Sequence, residues 1–183
     1  RVEFVQVPSV GRPDRFFQAL GPARKTIRAA LARADYVGTT LGGASFGDWG
    51  AVIGREAHSM GLPFFVWTDR VEPDVTRRLA PQGSLRRRLR VALEYPVMCH
   101  LERALIGKCA LGLFHGRETY DAYAPYCSNP HIVHDIHIRK SDHITADDLA
   151  CKQARSGPLR IVYAGRADPM KGTQHWLDTL TTL

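Results

Sequence analysis

The residues whose types and spacing most clearly suggest a binding site lie near the C-terminus, in the segment 165–172. The run Ile161-Val162-Tyr163 before it is typical of a short buried strand. Asp168-Pro169 within it combines a capping residue with a proline at the first helical position. The free N–H groups of a helix start bind anions, and Arg166 and Lys171 lie on either side of that start. The pattern predicts a corner that binds a diphosphate.

The same residues resemble a known family. Gly165-Arg166-x-Asp168-x-x-Lys171-Gly172, after a strand, resembles the start of the C-terminal domain of retaining two-Rossmann-domain (GT-B) glycosyltransferases of family 4. The resemblance implies that Arg166 and Lys171 hold the diphosphate of a nucleotide-sugar donor, with Gly165 and Gly172 in the same site. The alternative interpretation is an ordinary βα turn with a solvated arginine and lysine.

Two polar residues are candidates for the acceptor side of such a site. Asp69 follows the continuously apolar segment from Pro63, which is typical of a parallel strand buried on both faces. His115 follows another predicted strand, Ala110 to Phe114. Ligands of open α/β sheets sit at the carboxyl ends of strands. The resemblance implies catalytic roles for Asp69 and His115, where the family more often has a histidine and a serine. A helix cap or ion pair for Asp69, and a local hydrogen bond for His115, are the alternatives.

Hydrophobic periodicity predicts an alternation of strands and helices. The predicted strands are 2–7, 35–41, 63–69, 110–114 and 131–137. A helix carrying Trp49 to Met60 is predicted to end at Gly61. A break is predicted at Gly21-Pro22. This order favours an α/β fold with a Rossmann-like parallel sheet and flanking helices. The resemblance implies a GT-B architecture with a partial second domain: residues 1–138 acceptor-side, 139–158 linker, 159–183 donor-side.

A strongly basic helix is predicted from about Ser84, with a kink at Pro96. Leucines keep helical spacing through it at positions 85, 89 and 93, and its cations are Arg86, Arg87, Arg88 and Arg90. One interpretation is an amphipathic helix lying on an anionic membrane surface. The other is a solvated outer face over a leucine stripe that packs in the core.

Composition limits the remaining function classes. The 183 residues are 44% apolar and 23% charged, with a net charge of +7, which favours anionic partners. Nucleic acid is not expected, because the basic run has no interleaved aromatic residues. A metal site is not expected either, since the strand-like His131 and His137 face away from His134. Four cysteines without C-x-x-C spacing indicate reduced thiols. We expect a cytoplasmic protein, or one peripheral on the inner face of the membrane.

The resemblance implies a metal-independent transferase that moves a sugar, with retention, from a nucleoside-diphosphate sugar to the hydroxyl of a saccharide or lipid-linked acceptor. No bound cofactor is expected beyond this donor substrate. The family's Glu-x7-Glu element has no counterpart before Leu183, so we expect a truncated chain with little activity by itself. The alternative function is a non-enzymatic basic α/β module that binds anionic membrane or another polyanion.

Overall fold

The computed structural model describes residues 4–10, 12–43, 46–134, 139–158, 162, 165 and 172–181. The chain divides into two compact units, 1–137 and 138–183. The larger unit contains a four-stranded sheet. The smaller unit contains helices α6 (Ala146–Gln153) and α7 (Trp176–Thr181), and the first of these lies in the segment whose composition predicts a linker.

The four strands of the larger unit are parallel and follow one another in chain order. They are β1 (Val37–Thr40), β2 (Phe64–Thr68), β3 (Leu111–His115) and β4 (Pro130–Val133). Each strand pairs with the next, so all carboxyl ends lie at one edge of the sheet. The molecule is therefore an α/β protein with a Rossmann-like alternation of strands and helices.

Among the described residues of the larger unit, five α-helices connect or precede these strands. They are α1 (Pro13–Leu31), α2 (Trp49–Ser59), α3 (Glu72–Leu79), α4 (Leu85–Ile106) and α5 (Gly116–Tyr123). The core combines the inner faces of α1, α2 and α4 with one face of the sheet, including Phe64, Val66 and Phe114. Burial of these apolar side chains is the main source of stability, at about 25 cal/mol for each Å² removed from water.

Local signals explain where several helices begin and end. Asp48 caps α2 by accepting a hydrogen bond from the Ala51 amide at 3.0 Å, and Gly61 follows α2 in a left-handed conformation with φ of 71°. Ser84 caps α4 through the Arg87 amide at 3.3 Å. The predicted ends of these two helices are confirmed.

An ion-paired glutamate joins α1 to α2. Glu56 is buried and accepts hydrogen bonds from Arg24 at 2.6 Å and Arg28 at 2.8 Å. Burial raises the pKa of Glu56, but the hydrogen bonds from both arginines outweigh burial, so this pKa lies below its ordinary value. The carboxylate therefore stays charged and fixes the two helices against each other.

The structure corrects four predictions about the elements. Gly21-Pro22 does not break the first helix, because α1 buries Phe16 before the proline and Ile27 after it on the same face. Residues 4–7 of the predicted strand 2–7 form no strand. Strand β2 is fully buried only at alternate residues, so its continuous apolar run does not mean burial on both faces. The predicted strand 131–137 instead spans Pro130–Val133, and residues 135–138 lie outside the described residues.

Candidate functional site

The carboxyl edge of the sheet holds both predicted acceptor-side residues. His115 is the last residue of β3 and precedes helix α5, and it is half-buried. Asp69 follows the last residue of β2 and is exposed. Thr68 pairs with Phe114, so Asp69 and His115 leave adjacent strands one residue beyond that pair. The sheet therefore brings an acid and an imidazole to neighbouring positions on one edge.

A second histidine joins this edge. His134 follows β4, and its ring lies 6.3 Å from the ring of His115 in an edge-to-face arrangement at 71°. Val133, the residue before it, pairs with His115 in the sheet register. The edge therefore offers three titratable side chains from three adjacent strands.

The loop between β1 and α2 forms the neighbouring part of the edge. Asp48 accepts a hydrogen bond from the Gly42 amide at 2.8 Å through one oxygen, while its other oxygen caps α2. Gly43 has a φ of 93°, which favours glycine. Gly47 has a φ of 89°, and an added Cβ there would strike the carbonyl oxygen of Val10. The backbone path of this loop thus explains the glycines at positions 43 and 47.

A buried carboxyl group is hydrogen-bonded to the same loop. Glu102, on α4, has 1% of its surface exposed and accepts a hydrogen bond from the Gly43 amide at 3.0 Å. Its other oxygen lies 2.5 Å from the Tyr123 hydroxyl. Burial raises the pKa of Glu102 to about 7, although the hydrogen bonds from Tyr123 and Gly43 lower it. The same burial, together with the adjacent Glu102, raises the pKa of the Tyr123 hydroxyl.

Glu102 is not among the site residues predicted from the sequence, although its position on α4 carries a signal. Met98, Glu102 and Leu105 recur at helical spacing and are all buried on the inner face of α4. An acidic residue on an apolar stripe needs a buried partner, because an unpaired buried charge is costly. That partner comes from a loop and from α5, which are distant in sequence.

The predicted diphosphate corner lies mostly outside the described residues. Arg166 and Lys171 are among the residues not described, so their placement as phosphate ligands stays a prediction. Gly165 is exposed. Gly172 has a φ of 70° and precedes a short 3-10 turn that leads into α7. That left-handed conformation explains the glycine at position 172.

The basic helix α4 differs from the prediction of a core-facing leucine stripe. Arg86, Arg87, Arg88 and Arg90 are exposed, as both interpretations require. The leucines at positions 85, 89 and 93 are also exposed, so they do not pack in the core. Val91, Met98 and Leu105 form the buried stripe of this helix instead.

The described ranges contain no cluster of three or more His, Cys, Asp or Glu side chains placed to hold a metal ion. Within the same ranges, no helix has the length and apolar character needed to cross a bilayer. The chain matches no protein-family model, no curated protein and no solved structure. The α/β class with a parallel sheet is therefore established by the fold alone.

Proposed function

We propose that this chain carries the acceptor-side domain and the first donor-side element of a GT-B glycosyltransferase. The observation that carries the proposal is the meeting of Asp69, His115 and the Gly42-Gly43 loop at the carboxyl edge of a parallel sheet. Ligands of open α/β sheets bind at this edge. The resemblance of residues 159–177 to a donor-site motif supplies the reaction class.

The proposed reaction replaces one bond to the anomeric carbon with another. The bond from that carbon to the diphosphate oxygen breaks, and a bond to the acceptor oxygen forms with retention. Arg166 and Lys171 stabilise the departing diphosphate, where negative charge develops. Asp69 and His115 lie where an acceptor hydroxyl would be bound, and either can accept the proton that the hydroxyl loses.

Nucleotide binding tests the donor half of this proposal. We would titrate the chain with UDP, GDP and ADP by calorimetry, beside the double variant Arg166→Ala/Lys171→Ala. The matched control is Lys108→Ala/Arg155→Ala, which removes the same two charges from exposed positions elsewhere. Binding that discriminates among the bases and weakens at least tenfold only in the first variant supports the proposal. Equal weakening in both variants indicates net charge alone and contradicts it.

The acceptor half needs a separate measurement. In a longer form of the protein that contains the complete donor site, we would supply the sugar conjugate of the nucleotide that binds best. Donor hydrolysis and transfer to saccharide and lipid-linked acceptors would then be measured. Asp69→Asn and His115→Gln should lower transfer at least about 100-fold while leaving nucleotide affinity unchanged, since both lie on the acceptor side. Transfer that survives both substitutions refutes the assignment of these two residues. Indifference to every nucleotide refutes the proposed function.

A further inference from the structure

Helix α4 exposes a second apolar stripe on the side opposite the core. Leu85, Leu89, Leu93 and Val97 are 70%, 61%, 75% and 56% exposed, and we call these four residues the leucine face. Successive members are four positions apart, so they lie on one surface of the helix. Helices of globular proteins normally present polar residues there. A contiguous exposed apolar surface of this kind marks an interaction site.

The leucine face continues into an open groove between α1 and α4. The groove has a volume of about 610 Å³, and Leu93 and Val97 form part of its wall. The opposite wall includes Phe17, which is 62% exposed, and Leu20. Phe46 closes one side, with its ring 5.5 Å from that of Phe17. The apolar surface is therefore larger than one helix stripe and includes aromatic side chains from a second element.

Unpaired arginines surround this surface. The side chains of Arg86, Arg87 and Arg88 form no hydrogen bond or ion pair with the described residues. Arg55, at the groove, likewise has no partner within those ranges. The acidic groups nearby are already engaged: Glu94 pairs with Arg90 at 2.8 Å, Glu56 with two arginines of α1, and Asp48 with backbone amides. The surface is thus apolar at its centre and cationic at its rim.

We propose that the leucine face and the groove dock on an anionic lipid bilayer. The leucines and Phe17 enter the acyl boundary, while Arg86 and Arg88 meet the lipid phosphates. This combination of an apolar face and flanking cations is the chemistry of interfacial helices. The inference goes beyond sugar transfer and does not depend on it, because bilayer binding requires no nucleotide.

Two other occupants fit the surface less well. A symmetric dimer would bring the same patch of two chains together, and would place the unpaired arginines of one copy near those of the other. Nucleic acid would satisfy the arginines, but its phosphate backbone would leave the aliphatic side chains of the leucine face without an apolar partner. A bilayer with anionic head groups satisfies both the cations and the apolar side chains.

Vesicle flotation tests the apolar half of the proposal. We would compare phosphatidylcholine vesicles with vesicles that also contain about one third phosphatidylglycerol. The double variant Leu89→Ser/Leu93→Ser should bind the anionic vesicles at least about 30-fold more weakly than the unmodified chain. The control Leu149→Ser/Leu180→Ser removes two exposed leucines of the smaller unit and should bind normally. Equal binding of both variants overturns the proposal.

Charge is tested by a second matched pair. Arg86→Gln/Arg88→Gln should weaken binding about 30-fold, since each arginine near an anionic surface contributes about fivefold. Lys108→Gln/Arg155→Gln removes the same charge elsewhere and should have a smaller effect. Equal binding to vesicles with and without phosphatidylglycerol would overturn the electrostatic part. So would identical losses in the two charge variants.

Two further readouts separate the alternatives. Brominated acyl chains should quench the fluorescence of the tryptophan introduced by Leu89→Trp. They should not quench the tryptophan introduced by Tyr36→Trp, at an exposed position in the loop before β1. Equal quenching would contradict insertion. Sedimentation of the free protein tests the dimer: a dimer that becomes a monomer in Leu89→Ser/Leu93→Ser identifies the leucine face as an interface between copies and overturns the bilayer proposal.

Discussion

The replacement of Glu102 by glutamine gives the sharpest test of the structure. Glu102 lies beneath the loop after β1, with the Gly43 amide at 3.0 Å and the Tyr123 hydroxyl at 2.5 Å. Burial raises the pKa of its carboxyl group from the ordinary 4.5 to about 7, although the two hydrogen bonds lower it. Glutamine keeps the shape and an acceptor oxygen but does not ionise.

The direction of the stability change with pH follows from which state, folded or unfolded, binds the proton of Glu102. Between pH 4.5 and pH 7 the folded protein holds a proton on Glu102 that the unfolded chain has released. The free energy of unfolding therefore falls as the pH rises through this window, and the fall totals about 3 kcal/mol. The contribution of Glu102 is complete below about pH 4.5. Glu102→Gln removes this dependence, so it should be more stable than the unmodified protein at pH 8, by about 2 kcal/mol after a weaker hydrogen bond is allowed for.

Urea unfolding between pH 5 and pH 8, followed by tryptophan fluorescence, measures this difference. The unmodified protein should lose stability across the range, while Glu102→Gln should stay nearly constant apart from the titration of other groups. Glu118→Gln is the control, because that glutamate is exposed and pairs with Arg78 on the surface. Parallel pH profiles for the unmodified protein and Glu102→Gln would refute the argument that burial controls this carboxyl group.

The remaining predictions concern packing and burial. Gly50→Ala should cost at least about 2 kcal/mol in urea unfolding, because its Cβ would collide with the backbone at the end of β1. Gly54→Ala would meet only side-chain atoms of Leu105 and Phe64, at 3.2 Å, and should change stability by about 1 kcal/mol or less. Glu56→Gln should lose about 2 kcal/mol at pH 7 and progressively less as the pH falls below 4.5, since a carboxyl group with a lowered pKa stabilises only while ionised; a loss that does not change with pH would contradict this. Cys151 is exposed and should react with a thiol reagent in the folded protein, while buried Cys109, with a pKa raised by burial to about 12, should react only on unfolding.

Much of the larger unit could be predicted from local sequence signals. The alternation of strands and helices follows from apolar periodicity, and the helix ends at Ser84 and Gly61 follow from capping chemistry. The positions of Asp69 and His115 at one edge follow from the parallel arrangement. The strands and the helix ends depend on residues close together in sequence, and the parallel arrangement expected from their alternation then brings Asp69 and His115 to one edge.

The features that sequence reasoning missed depend on distant contacts. Pro22 stays inside α1 because Phe16 and Ile27 both pack in the core. Helix propensity depends on residue type alone and does not take this packing into account. The role of Glu102 requires Gly43, 59 positions away. The leucines of α4 keep helical spacing whether they face the core or solvent, so only the packing of the other face decides their exposure.

The strand order has a practical consequence for handling this protein. Strands that are added in one direction with right-handed crossovers place every connecting helix on the same side of the sheet. The burial pattern agrees, since Phe65, Trp67, Leu111 and Leu113 on the other side are only half-buried. A hydrophobic dye should therefore fluoresce with the native protein. Dye fluorescence alone would misreport this folded chain as a molten globule, and near-ultraviolet circular dichroism is the observable that separates the two states.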